Sequence, residues 1–317
     1  MHLSFRKSVT DRLLTKIRSG EMMSRNEKFN LIIQLSIPSI LAQVTTVLMF
    51  YIDAGMVGSL GAEPSAAIGL VEPATWLIFS LVSAVTMGFS VQVAHFICAN
   101  DFPKARAVMR HGYVFGLCFS LLMLLIAFLI GPRLPIWLGG GADIQHDAMV
   151  YFLIFSGITP FHLIEYMSGA MLKVAGDMRR PSMMAILMCV LDVIFNYFLI
   201  FPTRTISLFG IELTMPGFGA GVAGAALGSL LAFVCVALPL AYYAIFRSPI
   251  LAWKQDIERF SWRWQYIWNA LKISAPMGLQ YLLMNGAQLV STMIVAPLGN
   301  VAIAAHSFAI TAESLCY

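Results

Sequence analysis

Charged residues are scarce in this sequence. Only 11% of its 317 residues are Asp, Glu, Lys or Arg, whereas 59% are hydrophobic. A soluble domain carries about 25% charged residues, so this chain lacks the polar surface that a water-soluble protein of its length needs. The composition argues against a cytosolic enzyme and indicates a protein surrounded by the lipid bilayer. The net charge of +4 gives no reason to expect a nucleic-acid partner.

The sequence also lacks the motifs of several kinds of site. Its five cysteines are odd in number and include no CxxC pair, so neither a disulfide framework nor a zinc site is expected. There is no P-loop for ATP, no GxGD of an intramembrane aspartyl protease and no HExxH. We therefore predict a protein that is not an enzyme and needs no cofactor.

Long apolar runs make up most of the chain. A helix that spans the bilayer needs roughly 20 mostly apolar residues. Seven runs reach that length, and an eighth begins at Val301. The seven lie near 31–57, 74–98, 112–130, 149–171, 181–201, 219–246 and 273–298. Because the runs are continuous and do not alternate with polar residues, they predict helices, and the expected fold class is an all-α polytopic membrane protein.

The basic residues are distributed unevenly between the connections. Of the 20 Lys and Arg residues, 18 lie in the N-terminal segment or in every second connection, and only Arg133 and Arg204 lie in the others. Cytoplasmic loops of membrane proteins carry such an excess of basic residues. The distribution predicts a multi-pass protein of the bacterial cytoplasmic (inner) membrane with its N-terminus in the cytoplasm.

The connection between the sixth and seventh runs has a helical periodicity of its own. Trp253, Ile257, Phe260 and Trp264 recur at spacings of three and four, which places them on one face of a helix. This pattern predicts an amphipathic linker helix within 247–272 that lies in the cytoplasmic interface of the membrane. The alternative is a plain extension of the seventh run.

The sequence repeats itself at an offset of 238 residues. At this offset Pro38 aligns with Pro276, and Gly61 aligns with Gly299. Many transporters are built from such repeats, and an offset that covers six runs implies a six-helix unit. The expected organisation is a cytoplasmic segment 1–30, an N-lobe 31–246, the linker 247–272 and the first helices of an incomplete C-lobe 273–317. The chain is therefore expected to be truncated in its second lobe.

Ionisable residues at bilayer depth are rare and costly, so each is a functional candidate. By helical rise, Asp53 lies about 8 Å from the end of the first run and Asn196 about 9 Å from the end of the fifth. Asp192 lies one turn deeper than Asn196 on the same helix face. The three residues predict a site for a coupling cation, because their oxygens could bind Na⁺ or the two carboxylates could share a proton. The alternative is that they form separate hydrogen bonds at helix contacts.

Other polar residues in the runs are candidate substrate contacts. His162 and Glu165 lie three residues apart and share a face of the fourth run. The Glu165 carboxylate could attract a cationic substrate, or the two side chains could form a local pair. Gln43 is an uncharged polar companion in the first run. Pro38 in the same run lacks a backbone donor, so it is a candidate hinge, with a static kink as the alternative.

Several segments, taken together and in order, resemble those of a known family. They are Pro38 with the run 51–61, and the segments 100–106, 175–181 and 219–226. The chain resembles the MATE family (multidrug and toxic compound extrusion) from about Leu35 to its end. The resemblance implies a twelve-helix exporter whose two six-helix lobes form a V. It also implies antiport of organic cations or other amphipathic compounds against Na⁺ or H⁺.

The resemblance has implications for individual residues. In the DinF-like branch of the family, the N-lobe cation site uses an acid in the first helix, which matches Asp53. It also uses an Asn and an Asp one turn apart in the fifth helix, although here Asp192 precedes Asn196. The NorM-like branch carries an acid after the proline of the seventh helix, where this chain has Met284 and Asn285. The resemblance thus implies an N-lobe coupling site and a protein nearer the DinF-like type.

The expected function is a secondary active exporter that works by alternating access. We expect a monomer in the lipid bilayer, with small amphipathic or cationic substrates and with Na⁺ or H⁺ as the coupling ion. Three alternatives stay open. A flippase for lipid-linked saccharides would favour a cationic lumen, but the middle of the seven runs contains no Lys or Arg. An intramembrane enzyme would use Asp53 and Asp192. A truncated remnant would not transport.

Overall fold

The computed structural model describes residue 16 and residues 21–208, 211–255 and 261–313. Within them, α-helices and one β-hairpin form a single bundle. The helices are α1 (Arg25–Gly58), α2 (Ala62–Cys98), α3 (Phe102–Ile130), α4 (Leu134–Trp137), α5 (Gln145–Ser156), α6 (Thr159–Val174), α7 (Arg179–Ile200), α8 (Gly221–Tyr242), α9 (Trp264–Val295) and α10 (Asn300–Glu313). Short helical turns follow α8 (Tyr243–Arg247, π-helical) and α9 (Ala296–Leu298, 3₁₀).

Six helices of the described chain are long and apolar enough to cross a membrane, namely α1, α2, α3, α7, α8 with its π-helical turn, and α9. The bent pair α5 and α6 counts as a seventh span if it is taken as one. The chain is therefore an all-α polytopic membrane protein, as its composition predicts.

Helix α2 lies in the middle of the bundle, where it packs against α3, α6, α9 and α10. Helix α1 packs mainly on α7, and α7 packs on α8. Strands β1 (Pro202–Leu208) and β2 (Ile211–Phe218) pair antiparallel between α7 and α8. We call the end of the bundle that carries this pair the hairpin end, and the opposite end, where α1 begins, the basic end.

Helix α2 is longer than the second apolar run, which was expected to begin near residue 74. It begins at Ala62, after Gly61 with φ of 115°, and continues through Pro73. Ala66 and Leu70 are fully buried in the core next to α1, so this stretch is packed helix and not a loop. The longer helix brings Glu72 into the bundle.

The fourth apolar run is not one helix, because α5 and α6 are bent by 41°. Pro160 stands in the first turn of α6 and has no N–H to donate to the carbonyl of Ser156, four residues earlier. The Thr159 hydroxyl donates to that carbonyl instead, at 2.6 Å. The expectation of a continuous helix over 149–171 is therefore wrong, although the pair can still cross as a broken span.

The expected linker helix over 247–272 is not formed as one unit. Residues 264–272 are the first turns of α9, Trp253–Gln255 form a 3₁₀ turn, and 256–260 lie outside the described residues. The physical reason is close packing on α2. The amide of Gln92 donates to the Tyr266 carbonyl at 3.0 Å, and a Cβ on Gly88 would overlap the Ala270 carbonyl. These residues extend the seventh span, which was the alternative.

The 238-residue repeat has a structural counterpart at the hairpin end. Gly61 and Gly299 both have positive φ, 115° and 97°, a conformation that glycine adopts without a steric penalty. Each of them precedes a helix, at Ala62 and at Asn300, and these two positions are also 238 residues apart. The second helix therefore begins in the same way in both copies, directly after a glycine of positive φ.

Candidate functional site

The helices enclose a cavity of about 350 Å³ near the hairpin end. It is bounded by α1, α2, α5, α6, α7, α8 and α10, so both copies of the repeat contribute to it. Most of its lining is apolar or aromatic. Besides the phenol of Tyr151, its ionisable or amide side chains are Asp53, Glu72, His162, Glu165, Asp192 and Asn196. Among the described residues that line the cavity, none is Lys or Arg.

The structure brings together the three residues of the predicted cation site. The Asn196 amide nitrogen donates to Asp53 Oδ1 at 3.1 Å and to Asp192 Oδ2 at 3.0 Å. Asp192 and Asn196 are each only 2% exposed. The hydroxyl of Ser229 on α8 lies beside Asp192. One amide therefore bridges a carboxylate on α1 to a carboxylate on α7.

This arrangement supplies more acceptors than donors. Two carboxylates share one amide nitrogen, with the Ser229 hydroxyl beside Asp192 as a further donor, and buried carboxylates without a cation or a proton are costly. Carboxylate and amide oxygens are ligands for a small hard cation, and the same two carboxylates could instead hold one proton between them. The geometry therefore suits either Na⁺ or H⁺, and its role as a coupling site remains a prediction.

Close packing of α8 fixes the position of Asn196. A Cβ on Gly228 would overlap the Asn196 side-chain oxygen and lie 2.9 Å from its backbone nitrogen. A Cβ on Gly224, one turn away, would overlap the Leu199 carbonyl. Small residues that let two helices approach closely are typical of membrane bundles. The glycines in the sixth run therefore act through packing, and they set the bridge between α1 and α7.

His162 and Glu165 lie on α6, but they do not form the local pair that was one interpretation of their spacing. The His162 ring is stacked on Phe79, with centroids 4.6 Å apart, and its Nε2 is hydrogen-bonded to Ser83 Oγ at 3.1 Å. Both partners belong to α2. No hydrogen bond of these described residues joins His162 to Glu165, and both side chains line the cavity.

Two predicted residues of α1 lie outside the cavity. Gln43 is exposed, one turn beyond Thr46, which is the last cavity residue of α1 toward the basic end. The expected substrate contact of Gln43 is therefore not supported by this cavity, because the lining ends before its turn. Pro38 lies further still toward the basic end, inside an uninterrupted α1, and its role as a hinge remains a prediction.

Glu72 on α2 is a cavity residue that the sequence analysis missed. Its carboxylate accepts from Trp76 Nε1 at 3.3 Å and from Ser307 Oγ of α10 at 3.1 Å. It was missed because the second span was expected to begin near residue 74, which placed Glu72 in a loop. The apolar residues that continue back to Ala66 were the available signal.

Aromatic rings form one side of the cavity beside Glu72. Trp76 lies edge-to-face between Phe50 of α1, at 5.6 Å, and Phe79, at 6.1 Å between centroids. Phe155, Phe233 and Phe308 also line the cavity. Such a lining offers planar and positively charged groups favourable contacts with ring faces.

Comparison with known proteins places the chain in a family. A family model described as MatE matches residues 38–198, which is half of the chain. The chain belongs to the MatE family. This confirms the resemblance inferred from the sequence, whereas the DinF-like type and the early end of the second lobe remain predictions.

Individual relatives of the MatE family are distant in sequence. The chain is 24% identical over 286 residues to a "Probable multidrug resistance protein NorM" of Chromobacterium violaceum, covering 89% of this chain and 58% of that protein. It is 25% identical over 292 residues to a "FAD transporter" of Shewanella oneidensis, covering 90% of this chain and 60% of that protein. The chain thus spans about three fifths of the length of these relatives.

Solved structures of membrane transporters share the fold of this chain. A structure described as the inward-facing conformation of a multidrug resistance MATE family transporter of the MOP superfamily matches with a TM-score of 0.74 and 22% identity, over 90% of this chain and 61% of that one. A MOP superfamily transporter from Pyrococcus furiosus, described as having a binding pocket of reverse polarity, matches with a TM-score of 0.69 and 22% identity, over 89% and 64%.

Proposed function

We propose that this protein is a secondary active exporter of organic cations and amphipathic compounds, coupled to antiport of Na⁺ or H⁺. The observation that carries the proposal is the bridge from Asp53 through Asn196 to Asp192 at the edge of an aromatic cavity. A cation site and a space for an organic molecule thus share one chamber. The names of the NorM relatives support export of drugs, and the protein is in this proposal a transporter and not an enzyme.

The charge of the cavity supports cationic substrates. Four carboxylates line it, those of Asp53, Glu72, Glu165 and Asp192, without a described Lys or Arg among the lining residues. The Shewanella oneidensis relative is named for FAD, which carries a negatively charged pyrophosphate. A chamber rich in carboxylates would repel that group, and it would equally repel the pyrophosphate of a lipid-linked saccharide. We therefore favour export of cations over both.

Coupling would follow from the position of Asp53. Its carboxyl group joins α1 to α7 through the Asn196 amide and lies within hydrogen-bonding reach of the Asp192 carboxyl group, so a cation or proton bound there would change how strongly α1 is held. An ion shifts a conformational equilibrium only if its affinity differs between the two states. We propose that the ion binds more tightly when α1 and α7 are together, and that a substrate in the same chamber favours their separation.

The cavity lies where the two copies of the repeat meet. Ser307, Phe308 and Thr311 of α10 close the side that faces α1 and α2, and sites at repeat interfaces are characteristic of transporters that work by alternating access. The basic residues support an orientation with the N-terminus in the cytoplasm of a bacterial inner membrane. In that orientation the cavity lies in the outer half of the bilayer.

The test is efflux by the full-length gene product in cells without other drug pumps. Asp53→Asn is expected to abolish efflux of a cationic dye that is driven by an imposed Na⁺ or pH gradient, while expression and dye binding remain. Glu63→Gln is the matched control, because Glu63 is an exposed carboxyl group in the first turn of α2. Normal gradient-driven efflux by Asp53→Asn would overturn this site.

A further inference from the structure

The carboxylate of Glu72 has no part in the proposed coupling site, and its surroundings suggest a separate role. We propose that Glu72 recognises the positive charge of an organic cation, and that the bound cation replaces Ser307 as its partner. The inference rests on the proposed function, because it assigns the residue that selects cationic substrates. The ligand class is a planar aromatic compound with a quaternary or protonated nitrogen.

The negative charge of the Glu72 carboxylate has no positively charged partner among the described residues. Its hydrogen-bond donors are an indole N–H of its own helix, at 3.3 Å, and a hydroxyl of α10, at 3.1 Å. Both donors are neutral, and no described basic residue lies within 4.0 Å of its carboxylate. A carboxylate inside a membrane protein needs a positive partner to be well stabilised. The cavity provides the space in which an incoming cation could fill that role.

Aromatic side chains line the cavity next to this carboxylate. Trp76 donates to Glu72 and packs edge-to-face with Phe50 and Phe79. Phe308 follows Ser307 on α10 and lines the same space. A flat cation placed here would meet ring faces and a carboxylate together, and aromatic faces attract cations most strongly when water is excluded. A neutral molecule of the same shape would keep the ring contacts only.

The other carboxylates of the cavity are less suited to this task. Asp53 and Asp192 already share the Asn196 amide, at 3.1 and 3.0 Å. Glu165 has a basic residue, Lys173, eight positions along the same helix, about 12 Å away by helical rise, and Lys173 contributes to its electrostatic surroundings. Glu72 has neither a shared amide nor a basic residue on its own helix nearby.

The partner that would be replaced belongs to the second copy of the repeat. Ser307 lies against α2 at two points. Its hydroxyl donates to Glu72, and it packs so close to Gly69 that a Cβ added there would lie 2.6 Å from the Ser307 Cβ. Exchange of this hydroxyl for a substrate cation would remove one of the bonds that hold α10 to α2. Substrate binding would then weaken a contact between the two copies, which are the parts that must move in alternating access.

The experiment measures equilibrium binding to the purified 317-residue chain in lipid nanodiscs. The probes are N-methylacridinium, a permanent cation, and acridine at pH 8, which is neutral and has the same ring system. We expect the wild type to prefer the cation, and Glu72→Gln to bind the cation about tenfold more weakly while its affinity for acridine is unchanged. Glu63→Gln, the exposed control on the same helix, should bind both probes like the wild type.

Two further variants keep the inference falsifiable if Glu72→Gln unfolds. Glu72→Asp retains the charge and should keep a preference for the cation. Ser307→Ala removes the competing donor, so it should bind the cation about threefold more tightly. The inference would be overturned if a folded Glu72→Gln lost affinity for both probes equally. It would also be overturned if Ser307→Ala bound the cation more weakly than the wild type does. A wild type without any preference for the cation would overturn the proposed cationic substrates as well, whereas a preference that survives Glu72→Gln overturns the role of Glu72 alone.

Discussion

Gly69 and Ser307 face each other where α2 crosses α10, so closely that a Cβ on Gly69 would lie 2.6 Å from the Ser307 Cβ. They are 238 residues apart, the offset that also aligns Pro38 with Pro276. Equivalent positions of the two copies therefore meet each other, as they do at an axis of approximate twofold symmetry. The contact requires a small residue on at least one side.

The first prediction concerns this crossing. Gly69→Ala should force α10 away from α2 and lower stability by about 1–3 kcal/mol, because the added methyl group has no room. Thermal unfolding in detergent measures the effect. Gly55→Ala is the control, since a Cβ on Gly55 of α1 meets nothing within 4 Å. The double variant Gly69→Ala with Ser307→Gly should be less destabilised than the sum of the single variants; additive losses would show that the two residues do not press on each other.

The second prediction concerns the glycine behind the cation site. Gly228→Ala should displace Asn196, because the new methyl group would overlap its side-chain oxygen. We expect loss of gradient-driven efflux by the full-length gene product together with a destabilisation of about 1–3 kcal/mol. Gly286→Ala on α9 has open space at its Cβ and should behave like the wild type. Efflux that survives Gly228→Ala would mean that the bridge through Asn196 is dispensable.

The third prediction concerns topology. Single cysteines at Ser8 and Ser207, in a variant without the five native cysteines, should react differently with an impermeant thiol reagent added to intact cells. Position 207 lies in the hairpin and should be labelled from outside, whereas position 8 should be labelled only after the membrane is opened. Labelling of position 8 in intact cells would reverse the orientation inferred from the basic residues.

The sequence predicted the relative positions of residues correctly where they belong to one helix. Asp192 and Asn196 are four residues apart, so they had to share a face, and the depth of Asp53 in its own run matched theirs. The membrane class and the helical repeat likewise depend on composition and offsets that can be read directly from the chain.

The sequence was uninformative where rotation of one helix against another decides the contact. His162 could reach Glu165 by its spacing, yet Phe79 and Ser83 hold its ring because α2 lies on that side. Glu72 was missed because a hydropathy window ends a span at a charged residue next to a proline, whereas α2 continues through both. The break before Pro160 was the most foreseeable of the errors, since a missing N–H follows from the residue type alone.

The fourth prediction concerns the connection between α2 and α3 at the basic end. Asp101 caps α3 by accepting from the Lys104 backbone N–H at 3.2 Å and forms an ion pair with the Lys104 side chain at 2.7 Å. The hydrogen bond from Lys104 lowers the pKa of the Asp101 carboxyl group from its usual 3.8. Asp101→Ala should therefore cost about 1 kcal/mol at neutral pH, as loss of a helix cap does.

The dependence of this cap on pH has a definite sign. Because the pKa of Asp101 is lower in the folded protein, its charge stabilises the fold above the usual pKa, and this contribution is lost as the pH falls through the folded value. Asp101→Asn keeps a capping side chain but cannot titrate. The stability difference between wild type and Asp101→Asn should thus shrink below about pH 4. A difference that stays constant down to pH 2 would show that the ion pair contributes nothing.

The last prediction concerns the amide that bridges the two carboxylates. Asn196→Ala removes the donor shared by Asp53 and Asp192 and one candidate oxygen ligand, but it leaves both carboxylates in place. The site could then still bind its ion, although less tightly, so the ion concentration for half-maximal efflux should rise several-fold while the maximal rate changes little. Asp192→Asn removes a charge instead and should lower the maximal rate strongly.

The control is Asn285→Ala, which deletes an amide bonded to Ser80 on α2, away from the bridge, and should leave the ion dependence unchanged. Efflux is measured while the Na⁺ concentration is varied at constant pH, and again while the pH is varied at constant Na⁺. The coupling ion is the one whose concentration for half-maximal efflux changes in the variant. If Asn196→Ala lowers the maximal rate and leaves both half-maximal concentrations unchanged, the amide positions α1 against α7 and does not contribute to ion binding.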